Sequence, residues 1–137
     1  GADVILGSHP HVVQPTEIRT VNGETKYIIY SMGNFLTNQW HEWFDDPKDK
    51  KWLREDSILV QIEFLKDPVT QKTVINKVKH IPTWLSREGV GTKNIIHRIL
   101  PIPHKNYYDN SNYPEELIKK AYESYDRTVE FFTDYER

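Results

Sequence analysis

Gly1-Ala2-Asp3-Val4-Ile5-Leu6-Gly7-Ser8-His9-Pro10-His11-Val12-Val13-Gln14-Pro15 is the stretch on which the reading of this chain turns. An apolar run, Val4-Ile5-Leu6, breaks at Gly7-Ser8, and two imidazoles follow one residue apart. This is the pattern of a strand that delivers polar groups at its carboxyl end. In extended backbone, side chains two residues apart share a face, so an extended loop aims His9 and His11 at one centre. Pro10 favours that conformation by fixing its own φ and moving His9 away from the helical region. Gly7 and Ser8 leave room for backbone to approach a bound group.

Outward from this stretch, Thr16–Val21 and residues 24–31 flank Asn22-Gly23, the dipeptide favoured in two-residue hairpin turns because both positions take positive φ. The second strand, Lys26-Tyr27-Ile28-Ile29-Tyr30-Ser31, is almost wholly apolar or aromatic. It is expected to be central and buried on both faces. It ends at Met32-Gly33-Asn34-Phe35-Leu36, a second break from strand to polar loop. Two such breaks point to one crevice at the strands' carboxyl ends, although Gly33-Asn34 is equally suited to an ordinary turn.

Residues 37–56 hold Trp40, His41, Trp43, Phe44 and Trp52 without a sustained period. A loop this long serves as a lid over the crevice or as an aromatic cap on an apolar edge. Beyond it, Ile58, Val60, Ile62 and Phe64 alternate with polar residues over 57–65, the pattern of a half-exposed strand. Residues 73–81 read as its antiparallel partner, 87–93 as a loop around Gly89 and Gly91, and 95–102 as a short further strand. Near the carboxyl end, Asn112 reads as an N-cap with Glu115 three residues on. Ile118, Ala121, Tyr122, Tyr125, Val129 and Phe132 form an apolar stripe over 115–132. His80, His97 and His104 read as structural or surface residues.

Composition narrows the functions available. The 137 residues suit a single domain, and the abrupt opening on a strand is that expected of a fragment. With no cysteine, a disulfide framework and a thiolate zinc site are excluded. A net charge of −2 hides a segregation: between Lys72 and Lys105 seven basic residues face Glu88 alone, whereas 106–137 is acidic. The basic segment is either a solvated sheet face or a polyanion-facing stripe in which Lys77, Lys79 and Arg98 are the candidates. Aromatics do not interleave with it, so no nucleic acid is expected as a partner.

Two histidines do not make a metal site. A closed zinc site has four ligands and a catalytic one typically three plus water. Asp3, Asn34, Gln39, His41 and Asp45 are local candidates to complete the set. Neutral imidazoles suit Zn, Mn, Fe or Ni.

The first fifteen residues, followed by Tyr30-Ser31-Met32-Gly33-Asn34-Phe35 and Gln39, resemble the carboxyl-terminal part of the CapA family of capsule and poly-γ-glutamate biosynthesis proteins. The likeness implies an α+β fold, part of a calcineurin-like metallophosphatase-type β-sandwich of mostly antiparallel strands with a C-terminal amphipathic helix. Residues 1–105 are then the C-terminal portion of that domain, and 106–137 a linker and helix. His9 and His11 match the family's late His-x-His and by that match are metal ligands, with Ser8, Asn34 and Gln39 lining the site.

The resemblance further implies a divalent metal, Mn, Zn or Fe, in the full-length protein. This chain alone is expected to hold no metal tightly and to be inactive. The parent is either a metal-dependent hydrolase, phosphoesterase-like or acting on an anionic polymer, or a non-catalytic subunit of polymer synthesis or export. Its partners are then poly-γ-glutamate or a capsular polymer and the membrane subunits of the synthesis complex. A bacterial cell-surface, extracytoplasmic location follows, with an anchor in an upstream segment, and the truncated sheet edge is a candidate for self-association.

Overall fold

The computed structural model describes residues 1–39, 53–132 and 134–136. The element order is β1 (Val4–Leu6), β2 (Thr16–Val21), β3 (Glu24–Ile29), β4 (Asp56–Lys66), β5 (Thr73–Glu88), β6 (Ile96–Pro101), α1 (Glu115–Thr128), a 3-10 turn (Val129–Phe131) and β7 (Tyr135–Glu136). Among the described residues it is an α+β arrangement of mostly antiparallel strands with one α-helix, near the carboxyl end. The stretch 40–52, with Trp40, His41 and Asp45, lies outside the described residues, and with it the lid or cap expected there.

Asn22 and Gly23 both take positive φ, 51° and 76°, and close the β2–β3 hairpin with Val21 opposite Glu24. β1 adds to the other side of β3 in parallel, giving the order β1-β3-β2. β3 is central as expected, but only one of its faces is closed. Tyr27 and Ile29 are fully buried, Ile28 is half-buried and Tyr30 is exposed. The continuous apolar run therefore behaves as an alternating strand with a closed face and an open one.

The second sheet has the order β4-β5-β6, with β7 also on β5. β5 runs seven residues beyond the expected end at Ile81, through Pro82 to Glu88, so the loop around Gly89 starts later than the sequence suggests. Pro82 is tolerated for a geometric reason. β7 covers Lys77 and Val78 on the second edge of β5, and β6 covers Thr83 to Glu88. Between them the His80 N–H turns to the Asp134 carboxylate and the Pro82 carbonyl accepts from Ile102 N–H. Pro82 stands opposite Ile102, one step past the end of β6, so of that reciprocal pair only the bond onto the Pro82 carbonyl is made and proline forgoes a single bond at the end of the ladder.

The length of β5 lets it serve two cores. Its first half closes Ile75 and Val78 onto Tyr27, Ile29 and Ile58, joining the two sheets face to face. A bulge that passes Asn76, with Glu63 opposite Lys77 and Phe64 opposite Ile75, puts Ile75 and Val78 on one side. Phe64, expected inside, ends 53% exposed. The second half of β5 brings Trp84 beside Leu100, Ile102, Tyr108 and Ala121 under α1. Each fully buried aliphatic side chain of this kind contributes about 1.5–3 kcal/mol.

α1 begins at Pro114, without a side-chain cap, rather than at Asn112. Proline brings its fixed φ to that position, here −56°, and its carbonyl accepts from Leu117 and Ile118 N–H. Glu115 and Glu116 in the first turn and Arg127 in the last suit the helix dipole. The face nearest the sheets is made by the small residues Ala121, Ser124 and Thr128, flanked by half-buried Leu117, Ile118, Tyr122 and Tyr125. Val129 is exposed and Phe132 lies past the helix, stacked on His80 with ring centroids 4.9 Å apart.

Candidate functional site

β1 and β3 are parallel, so their carboxyl ends emerge side by side and the two polar loops meet. Gly7 N–H donates to the Ile29 carbonyl and Met32 N–H to the Gly7 carbonyl, both at 2.9 Å. A Cβ at Gly7 would stand 2.1 Å from the Tyr30 carbonyl oxygen. Only glycine allows the crossing to be this close. Val13 bridges to Met32 and Gln14 N–H donates to the Ser31 carbonyl at 2.9 Å, so the first loop is sewn to the second along its return.

The second loop is in turn sewn to β4. Gly33 bridges to Ser57, and Ile58 N–H donates to the Met32 carbonyl at 3.1 Å. Gly33 has φ +73°, and a Cβ there would lie 2.5 Å from the Asp56 carbonyl oxygen. Buried Ser31 accepts the Gly33 N–H on its hydroxyl at 3.2 Å. The site is thus the corner where both sheets begin or end.

His9 and His11 do not lie in extended backbone. His11 N–H returns to the Ser8 carbonyl at 3.2 Å, closing a turn across His9-Pro10, and His11 itself has φ +62°. The left-handed conformation costs a non-glycine residue about 1–2 kcal/mol, and side-chain bonding offsets it here. His11 Nδ1 lies 2.7 Å from Asn34 Oδ1. Asn34 Nδ2 donates to the His11 carbonyl at 3.0 Å and to the Arg54 carbonyl at 3.2 Å. Gln39 joins the same corner through Arg54, whose Nη1 donates to Gln39 Oε1 at 3.3 Å.

Of the residues expected from sequence, His11 and Asn34 are in direct contact and Gln39 is one residue removed. Ser8 contributes its backbone to the turn, and His9 is exposed beside it. Asp3 stands at the far end of β1, paired with Lys26. Arg54 was not singled out from sequence, because its role here is carried largely by a backbone carbonyl, which leaves no mark in residue type.

Two imidazoles on an exposed turn suit a divalent metal in donor chemistry, and the Asn34 contact is the kind of outer support that ligating histidines have. Among the described residues no group of three or more His, Cys, Asp or Glu is placed to hold a metal ion. The described residues therefore hold no complete ligand set. Among them, too, no helix is long and apolar enough to cross a membrane.

The basic candidates do not gather into one patch. Arg98 lies opposite Ser86, nine positions along β5 from Lys77, about 30 Å at strand rise. Lys77 pairs with Glu136 at 2.6 Å, Arg98 with Glu88 at 3.0 Å, Lys72 with Glu24 at 2.8 Å and Lys105 with Asp126 at 2.9 Å. The acidic 106–137 segment supplies two of these partners, Glu136 and Asp126, while Glu24 comes from the β2–β3 hairpin and Glu88 from the basic segment itself. His80 is a buried structural residue, bonded to Tyr27 and Asp134, and His104 bonds its own neighbour's carbonyl.

The fold and the corner define an α+β unit built around two interlocked polar loops, one carrying His-x-His and the other Gly-Asn. Residues 1–39, which contain both loops, match the family model described as bacterial capsule synthesis protein PGA_cap. The chain is 33% identical over 102 residues to the PGA biosynthesis protein CapA of Bacillus subtilis (strain 168), an alignment covering 72% of this chain and 23% of that protein. No solved structure matches the chain. The chain belongs to the CapA family of bacterial capsule synthesis proteins, and it spans about a quarter of the length of the curated relative it matches.

Proposed function

We propose that this chain serves capsule or poly-γ-glutamate synthesis by contributing His9 and His11 to a divalent-metal site of metallophosphatase type. The observation that carries this reading is the His11–Asn34 contact at 2.7 Å, which holds an exposed imidazole rigidly at the junction of two motif loops. The face-to-face packing of a three-stranded on a four-stranded sheet supports a β-sandwich of that type. Tyr27 and Ile29 close its inner side.

In this reading His9 and His11 hold the metal and the Gly7 and Gly33 crossings fix their backbone. A bound Mn, Zn or Fe supplies Lewis-acid activation of a phosphodiester or amide bond in an anionic polymer. The partners are that polymer and the membrane subunits of the synthesis machinery, at the extracytoplasmic face of the bacterial cell. The ion pairing of Lys77 and Arg98 gives no specific support to a separate polyanion stripe, so polymer recognition is assigned to the histidine corner.

The test is H9A/H11A in the intact protein in its host. Loss of two ligands is expected to lower polymer output at least tenfold at unchanged protein level. Normal output from a normally expressed double variant would overturn the metal-site reading.

A further inference from the structure

The amide of Asn34 dictates more than the position of His11. Both nearby carbonyl oxygens, those of His11 and Arg54, are acceptors only, so the end of the amide facing them at 3.0 and 3.2 Å is the NH2 group. The other end, 2.7 Å from His11 Nδ1, is then the carbonyl oxygen. That oxygen accepts only. His11 Nδ1 must carry the proton, and in the neutral ring Nε2 keeps the bare lone pair.

A flipped amide would face its oxygen toward two carbonyl oxygens and its NH2 toward the ring, losing two bonds at a buried side chain. The observed orientation is the one the surroundings permit. An unconstrained histidine side chain prefers the opposite tautomer, with the proton on Nε2. The corner therefore inverts the intrinsic preference of this ring.

We propose that Asn34 is a positioning residue that selects the Nδ1–H tautomer of His11 and so makes Nε2 the ligand atom offered from this loop. The ligand clause rests on the metal-site reading above; the tautomer clause stands without it. The Arg54 carbonyl, by fixing the amide, takes part in the same selection. Among the described histidines His80 has its Nδ1 on the Asp134 carboxylate and its Nε2 on the Tyr27 hydroxyl, so it provides an internal Nδ1–H reference.

The experiment is a long-range 1H–15N spectrum of the histidine rings in the metal-free 137-residue chain at pH ~8.5, about two units above the ordinary imidazole value. The expected result is His11 in the same tautomer class as His80. A His11 ring protonated on Nε2 overturns the proposal without any variant. Asn34→Ala, with His80 signals unchanged as the sign of an intact fold, is expected to move His11 to the Nε2–H form, and Asn34→Asp, which keeps an acceptor toward Nδ1, to retain Nδ1–H. An unchanged tautomer in a folded N34A chain also overturns it.

Titration of the intact protein with Mn2+ separates the two readings. Broadening of the His11 ring signals that needs roughly tenfold more Mn2+ in N34A supports the ligand role of Nε2. Absence of broadening at His9 and His11 in the wild-type protein, with the Nδ1–H tautomer in place, overturns the metal reading and the ligand clause while leaving the tautomer selection established.

Discussion

Arg127 grips Asp56 with two parallel hydrogen bonds, Nε to Oδ2 at 3.0 Å and Nη2 to Oδ1 at 2.9 Å, across 71 positions of sequence. Ser124 Oγ donates to the same carboxylate at 2.6 Å. Asp56 opens β4 directly behind Gly33, so this pair ties the terminal helix to the back of the histidine corner. A carboxylate so enclosed is stable only while its partners are present.

Truncating one side of that pair is expected to be far worse than removing both charges. Asp56→Ala strands a largely buried guanidinium and should cost about 3–5 kcal/mol, whereas D56L/R127M should recover more than half of the loss. Urea unfolding followed by circular dichroism measures both. A double variant no more stable than the single one contradicts the pairing.

The glycine crossings give a graded prediction. Gly7→Ala drives a Cβ to 2.1 Å from backbone and should cost about 3 kcal/mol or more. Gly33→Ala adds a left-handed φ to a 2.5 Å approach and should cost a similar amount. Gly91→Ala, with φ +85° but open space around it, should cost only about 1–2 kcal/mol. Thermal unfolding of the three variants should rank G91A as the mildest.

Burial lowers the His80 imidazole below its ordinary value, partly offset by the Asp134 carboxylate. A ring held neutral in the fold but free to charge when unfolded contributes stability that is fully present above the unfolded value near 6.5 and is lost as pH falls below it toward the folded value. Wild-type melting temperature should fall between pH 7.5 and pH ~5, and His80→Gln should flatten part of that fall. Equal slopes in the two proteins would exclude His80 as the source.

Leu100 sits at 1% exposure between Trp84 and the helix. Leu100→Ala should cost about 2–5 kcal/mol by opening the cavity under α1, and hydrogen exchange should quicken first in α1 and β6. Uniform acceleration that includes β2 and β3 would instead make the two cores one cooperative unit.

Local chemistry made much of this legible from the residues. Asn22-Gly23 encodes its turn in two positions, and the spacing of Ile118, Ala121, Tyr122 and Tyr125 encodes a helical face. The strand of 57–65 is equally plain, whereas its partner reads as ending at Ile81 because proline cannot donate to a ladder, and the structure carries β5 past Pro82 at the loss of one bond at the end of the β6 pairing.

What the sequence determined by itself was the presence of two polar loops, each following a strand and each carrying the residues of a family. Whether those loops touch, and how, was decided only by tertiary structure. The turn that takes His11 to positive φ is held by an amide 23 residues away, and that amide is oriented by the Arg54 carbonyl, 20 residues further on. Such contacts arise because parallel pairing of β1 with β3 brings their ends together, and no local preference of histidine or asparagine encodes that pairing.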